Sequence, residues 1–291
     1  MTTVAGTSPA DSSASPEAPS RSAPAGLGTA ALMIPAGLLA LFLGLPILAL
    51  VARSILDGSL ANALTAQVVL TALWLSLATT AVSVTLTVAL GLPLAWVLAR
   101  RAFRGRWLVE AIVDLPLVLP PAVAGLALLL VLGRRTALGG PLDSLGITIP
   151  FTTVAVVLAQ TFVSAPFFVR SARTGIAAVE RDLEDAARVD GATERSVFRH
   201  VTLPLAAGPV AAGLVMSWAR ALGEFGATIM FAGNIEGRTQ TLPLVVYGEF
   251  QGGDLDGSIA AAAILVLAAF GVLLAVRVLH WGRALDLRNV A

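Results

Sequence analysis

The chain has 291 residues, 57% of them hydrophobic and only 13% charged, with a mean hydropathy of +0.86. A soluble domain carries about 25% charged residues, so at half that density the chain cannot cover its apolar surface in water and is read as an integral membrane protein. A formal charge of +1 gives no case for nucleic acid, no cysteine means no disulfide or thiolate chemistry, two histidines are too few for a histidine-built metal centre, and nineteen arginines without a lysine leave no Schiff base and no Walker lysine.

Residues 1–26 draw 21 of their 26 positions from Ser, Thr, Pro, Ala and Gly and show no apolar period, which predicts a disordered tail. The apolar run that follows is too long for a cleaved secretory signal and lacks a cleavage site, so it is expected to stay as an anchor. A helix crosses the hydrocarbon core with about 20 apolar residues. Six stretches free of Asp, Glu and Arg meet that length: 27–52, 58–99, 115–133, 144–169, 201–219 and 257–276. The second is 42 residues long, but its opening Ser59–Gln67 is too polar for half of a transmembrane hairpin, so one span near 68–98 is expected.

Arginine placement tests the count. With six spans and the N-terminus inside, fourteen arginines fall on inner segments, four on outer loops, and Arg220 lies within or at the end of the fifth span. That bias obeys the positive-inside rule, and a seventh span would move the cluster Arg100, Arg101, Arg104 and Arg106 outside. Trp96, Trp107 and Trp281 sit beside the inner boundary, where indole rings settle. The expectation is an all-α, multi-pass membrane protein of six transmembrane helices with both termini in the cytoplasm.

In the third span, Pro116, Pro120 and Pro121 deny hydrogen bonds to carbonyls near one end and predict a bend. Such carbonyls are tolerated only against other helices or a wet cavity, so the span either lines a path or simply packs. The longest inner loop, 170–204, holds Leu183-Glu-Asp-Ala-Ala-Arg-Val-Asp-Gly191 and then Ala192-Thr-Glu-Arg-Ser-Val-Phe-Arg-His-Val201-Thr-Leu-Pro204. Leu183, Ala186 and Ala187 share a helical face, Gly191 can stop that helix in the left-handed region, and Thr193 can cap a second helix whose Val197, Phe198 and Val201 face inward. Pro204 is expected to open the fifth span. A solvated loop, a DNA-binding helix-turn-helix and a docking element for a cytoplasmic partner all fit two short helices. Six acids offsetting six arginines weaken the DNA reading.

In the fifth span Arg220 and Glu224 stand four residues apart at membrane depth, where ionisable groups face a bundle interior or an aqueous cavity. They mark a gate or pathway wall, or an interfacial ion pair. Gly223 and Gly226 flank Glu224 and predict close helix packing. The outer loop 233–257 is mixed in charge, and either receives a partner or is solvated.

Asp185-Ala186-Ala187, three residues, Gly191, nine residues, Val201, one residue, Leu203-Pro204 resembles, spacing included, the EAA loop of ABC-importer permeases. Members usually have Glu at the place of Asp185 and Ile at that of Val201. Asp114-Leu-Pro-Leu-Val-Leu-Pro-Pro121 with Gly125 and Gly133-Arg-Arg135, and Arg220-Ala-Leu-Gly-Glu-Phe-Gly-Ala-Thr-Ile229, resemble molybdate and sulfate permeases; the continuation to Pro243 is closer to the molybdate branch. The resemblance covers about 63–280, leaving 1–26 as a tail, 27–52 as an extra helix and 281–291 as a cytoplasmic C-terminal tail.

The resemblance implies a type I ABC importer permease fold in a bacterial plasma membrane, importing molybdate, with tungstate as a second candidate, by alternating access. It makes Asp185, Ala186, Ala187, Gly191, Val201, Leu203 and Pro204 the ATPase-docking coupling loop. Pro120, Pro121, Arg220, Gly223, Glu224 and Gly226 become pathway or gate candidates. The implied partners are a cytoplasmic ABC ATPase dimer that holds the ATP and Mg, an extracytoplasmic oxyanion-binding protein, a second copy of the chain and membrane lipid, with no catalytic residue, metal or cofactor on this chain. A sulfate or thiosulfate permease is the rival within the class. An ion-coupled secondary transporter or a membrane scaffold is the rival outside it. Ion coupling wants ionisable groups at mid-membrane, where only Arg220 and Glu224 come near.

Overall fold

A computed structural model describes the backbone of residues 27–288 and the side chains of residues 32–274. The expected disordered tail 1–26 lies outside that range, as do the side chains of His280 and Trp281. The described residues form helices joined by turns and loops and contain no strand. Chain contacts divide into two units, one ending at Ile47 and one beginning at Leu48. In the first, the described chain is the opening part of α1 (Leu27–Leu56), whose Leu32–Leu43 side chains are exposed and apolar, as a lipid-facing helix requires.

The second unit is built on α3 (Gln67–Arg100), α7 (Thr153–Ala178) and α11 (Ala207–Leu222). The side of α3 turned to its neighbours is small or hydroxylated: Ala72, Ser76, Thr79, Thr80, Ser83, Thr87, Gly91 and Ala95 recur at helical spacing and are buried. Lipid gives apolar surface no reason to leave it, so helices associate by close packing of small residues and by hydrogen bonds. The contacts have that character. A methyl placed on Gly91 would stand 3.1 Å from the Phe168 ring, and one on Gly213 of α11 would stand 2.7 Å from Ser171 Cβ. Thr161 Oγ1 donates to Ser83 Oγ at 3.1 Å across the α3–α7 contact. Three apolar clusters complete the packing. Phe168, Ile176 and Leu98 centre one, Phe231, Val156 and Ala227 another, and Leu242, Val245 and Ile264 the third.

All six apolar segments are helical, but two depart from the simple reading. Among the described residues four helices are long and apolar enough to cross a membrane: residues 32–56 of α1, then α3, α7, and residues 255–274 of the final helix. The third segment is instead divided into α4 (Arg106–Val118) and α5 (Pro121–Leu132), the latter only 12 residues long. The helix runs through Pro116 and breaks at Leu119 and Pro120, whose ψ angles of 132° and 134° are extended. The residue before a proline is pushed out of the helical region. Two consecutive X–Pro steps therefore end a helix where a single one only bends it.

The fifth segment does not begin at Pro204, as expected. Residues Glu194–Leu205 form one helical stretch that meets α11 at 76°. Within that stretch Phe198–Thr202 is a π turn, in which the Leu203 N–H donates to the Phe198 carbonyl. Pro204 has no N–H to offer, and the chain turns at Ala206, two residues on. Between these spans lie the short α2 (Ser59–Ala63), α6 (Gly139–Ser144), α8 (Arg181–Val189), α9 (Glu194–Val197), α10 (Leu203–Leu205), α12 (Gly226–Phe231) and α13 (Leu242–Gly252), before the long α14 (Leu255–Arg288). The α14 backbone runs past 276 and through most of the expected tail 281–291.

Candidate functional site

The loop 170–204 holds a buried polar cluster. Glu184, on α8, is 3% exposed, and its Oε1 accepts from Arg100 Nη2 at 2.8 Å and from Thr202 Oγ1 at 2.6 Å. Arg100 Nη2 also donates to the Val179 carbonyl at 3.0 Å. One carboxylate therefore joins the C-terminal end of α3, the short helix α8 and the π turn leading to α11. Sequence reading did not single out this cluster. Its members are 84 and 18 residues apart, and no local period links them.

The opposite side of α8 is open. Asp185 and Ala186 are exposed, Ala187 is half-buried, and Leu183 and Val189 are 47% and 87% exposed. This is a shallow apolar face with an acid at its edge. The helix stops as the sequence predicted: Gly191 has φ +86°, its N–H donates to the Arg188 carbonyl, and the Ala192 N–H reaches back to Ala187. Those two bonds are the paired closure of a Schellman motif. Thr193 Oγ1 then accepts from the Ser196 N–H at 3.3 Å and caps α9. Val197 is buried and Phe198 and Val201 are half-buried, while Leu203 is half-buried and Pro204 exposed.

Arg188 locks the two short helices together, donating to Asp185 Oδ1 and through Nε and Nη2 to both oxygens of Glu194, at 2.7 and 3.2 Å. Bidentate geometry of this kind is the strong form of an ion pair. Hydrogen bonding to Arg188 holds the Glu194 carboxyl below the usual glutamate range, and Glu194, then Asp185, keep the guanidinium more basic than usual. Asp185 is thus both exposed and already paired.

The second constellation lies where α11 ends. Arg220 Nη1 stands 2.6 Å from Glu224 Oε2, and Glu224 is fully buried. Glu224 is not on the helix, as its spacing suggested. α11 stops at Leu222, and Glu224 sits in the break before α12, where its Oε1 accepts from the Ala227 N–H at 2.7 Å. α12 packs on α5 with no room to spare. A methyl on Gly125 would lie 2.5 Å from the Ala227 carbonyl oxygen, and one on Gly226 would lie 2.8 Å from Pro121 Cβ. Gly223 differs from Gly226: it is exposed, and a methyl there would meet nothing nearer than its own helix's Ala219 oxygen at 3.6 Å. Pro120 and Pro121 are exposed at the α4–α5 break. The geometry therefore brings Pro121, Gly226 and Glu224 to one junction and leaves Gly223 facing outward.

The chain matches the family model described as binding-protein-dependent transport system inner membrane component over residues 91–283. It is 47% identical over 208 residues to the molybdenum transport system permease protein of Mycobacterium tuberculosis, covering 71% of this chain and 78% of that one. It is 43% identical over 245 residues to a probable molybdenum ABC transporter permease protein of Haloferax volcanii, covering 84% and 87%. Among solved structures, a bacterial alginate ABC transporter in complex with an alginate-bound periplasmic protein aligns with a TM-score of 0.67 at 18% identity, over 85% of this chain and 92% of that one. At that identity the likeness concerns the fold, which is that of an ABC transporter permease. The chain is a multi-pass membrane transport component and belongs to the family of binding-protein-dependent transport system inner membrane components.

Proposed function

We propose that the chain is the membrane-spanning subunit of an ATP-driven importer that carries molybdate into the cytoplasm, with tungstate as a second candidate cargo. The observation that carries the reading is the inner loop. A short helix presents Leu183, Asp185, Ala186 and Val189 outward, while its opposite side is tied through Glu184 to α3 and to the turn that leads into α11. A rigid body pressing on that face moves two membrane helices at once. The relatives named for molybdenum transport support the cargo.

In this reading Asp185, Ala186, Ala187, Gly191, Val201, Leu203 and Pro204 dock a cytoplasmic ATPase dimer, which holds the ATP and Mg, since the chain has no lysine for a Walker motif. Two copies of the chain enclose the pathway, with both termini inside. An extracytoplasmic oxyanion-binding protein delivers cargo to the outer side. Pro120, Pro121, Arg220, Glu224 and Gly226, with the outward-facing Gly223 beside them, form the pathway wall. Closure of the ATPases draws the loops together and rotates the helices about the pathway, so the route is open to one side at a time. Glu224 cancels most of the field of Arg220, so this chain gates the anion and the binding protein selects it.

The test is uptake of labelled molybdate into proteoliposomes holding the chain with its ATPase and binding protein. ATP-dependent uptake that excess sulfate leaves unchanged is expected. Uptake abolished by sulfate moves the chain to the sulfate and thiosulfate permeases, and uptake indifferent to ATP overturns the importer. Gly191→Pro, which demands φ near −65° where the chain has +86°, and Asp185→Lys are each expected to abolish uptake without stopping membrane insertion.

A further inference from the structure

Two adjoining cavities at the inner end of α3 share Trp96 and Glu194. One is an apolar groove of about 430 Å³ between Leu92, Pro93 and Val97 of α3 and Phe198 of the π turn. The other is a polar cavity of about 250 Å³, lined by Arg100, Arg101, Arg181 and Arg188 among three acids. The acids are already spent: Glu184 pairs with Arg100, and Asp185 and Glu194 pair with Arg188. Arg101 and Arg181 have no carboxylate within 4 Å among the described residues, so the cavity keeps positive charge unanswered. The Arg101 guanidinium lies over the Trp96 ring, 5.5 Å from its centre, fixing a cation at the boundary between the two spaces. Arg100 is nine-tenths buried, and its Nε lacks a hydrogen-bond partner.

We propose that this pair of cavities is a binding site for one anionic phospholipid. A lipid is an apolar chain joined to a charged head, and the two spaces have those characters in that order along α3. The acyl chain lies against Leu92, Val97 and Phe198. The phosphate is held by Arg101 and Arg181, with Trp96 at the level of the glycerol. Basic pockets between helices on the cytoplasmic side are where anionic head groups are recognised. The site spans α3 and α8, so the bound lipid bridges a membrane helix and the docking helix.

The experiment is native mass spectrometry of the purified full chain in detergent, titrated with dioleoyl phosphatidylglycerol or with dioleoyl phosphatidylcholine. Preferential retention of one phosphatidylglycerol per chain, by about 30-fold for two arginines, is expected. Arg101→Gln with Arg181→Gln should reduce the two lipids to equal retention. Arg104→Gln with Arg199→Gln removes the same charge from exposed inner residues outside the cavity and should preserve the preference. Leu92→Trp, which fills the groove, should weaken both lipids. Thermal melting of each variant reports whether it is folded. The proposal is overturned if the folded Arg101/Arg181 variant keeps its preference, if the Arg104/Arg199 control loses it equally, or if glycerol phosphate displaces the lipid, since that would place recognition in the phosphate alone.

Discussion

Glu184→Ala would strip the carboxylate from a guanidinium whose side chain is only 9% exposed. A buried pair is weak evidence for stability when intact, because desolvation offsets the attraction, yet deleting one partner strands the other charge at about 3–5 kcal/mol. The expected result is a large fall in thermal midpoint for Glu184→Ala in detergent, with Arg100→Met/Glu184→Ala recovering much of it. Equal midpoints for the single variant and the wild type would show that water reaches the pair. The cluster also explains the roles of two neighbouring acids on α8. Glu184 is turned inward and is structural, whereas Asp185 is turned outward and is free to meet a partner once Arg188 releases it. Their order along the helix, a rotation of about 100° per residue, is enough to separate the two roles.

At the scale of elements, the α5–α12 contact is too close to admit a methyl group, and two glycines permit it. Gly125→Ala would push a methyl to 2.5 Å from the Ala227 carbonyl and 2.8 Å from its Cα, both backbone atoms that cannot swing away. Overpacking of that kind costs about 1–3 kcal/mol. Gly223→Ala, by contrast, has φ −85° and open space, so it should leave stability within error. Melting curves of the two variants check this. If Gly223→Ala melts normally but loses uptake, the lost contact belongs to another chain, as expected of a constriction between two copies. The same region shows what sequence can and cannot disclose. Apolar length was enough to locate six helical segments, and Gly191 and Thr193 announced the helix stop and cap because those are local chemical acts. The departure at Leu119–Pro120 was legible as a bend though not as a full break, and the 76° turn at Ala206 was not legible. A proline states which hydrogen bond is lost, but neighbouring helices decide whether the chain bends, breaks or adds a π turn. Glu224 was likewise misplaced onto a helix: spacing of four gave its partner correctly, while α11 ends two residues before it, at Leu222.

For the whole molecule, the ion pairs provide an internal check on sidedness. Arg53 pairs with Asp256 and Arg134 with Asp143, joining segments that a six-span arrangement puts outside. Arg100 pairs with Glu184, Arg173 with Glu110 and Arg170 with Asp114, joining segments that it puts inside. No ion pair among the described residues crosses from one set to the other, so the two ends of the bundle are consistently sorted, and which end faces the cytoplasm becomes a single binary question. The chain has no cysteine, so it can be answered without first removing background thiols. Ser144→Cys and Asn234→Cys place a thiol on the exposed outer loops, and Ala102→Cys and Asp190→Cys place one on exposed inner segments. A membrane-impermeant maleimide added to intact cells should label the first pair at once and the second only after permeabilisation. Fourteen of nineteen arginines on one side make this direction the expected one, because arginine resists translocation. The reverse pattern would place the loop 170–204 outside, where no cytoplasmic ATPase can reach it, and the importer reading would fall with the orientation.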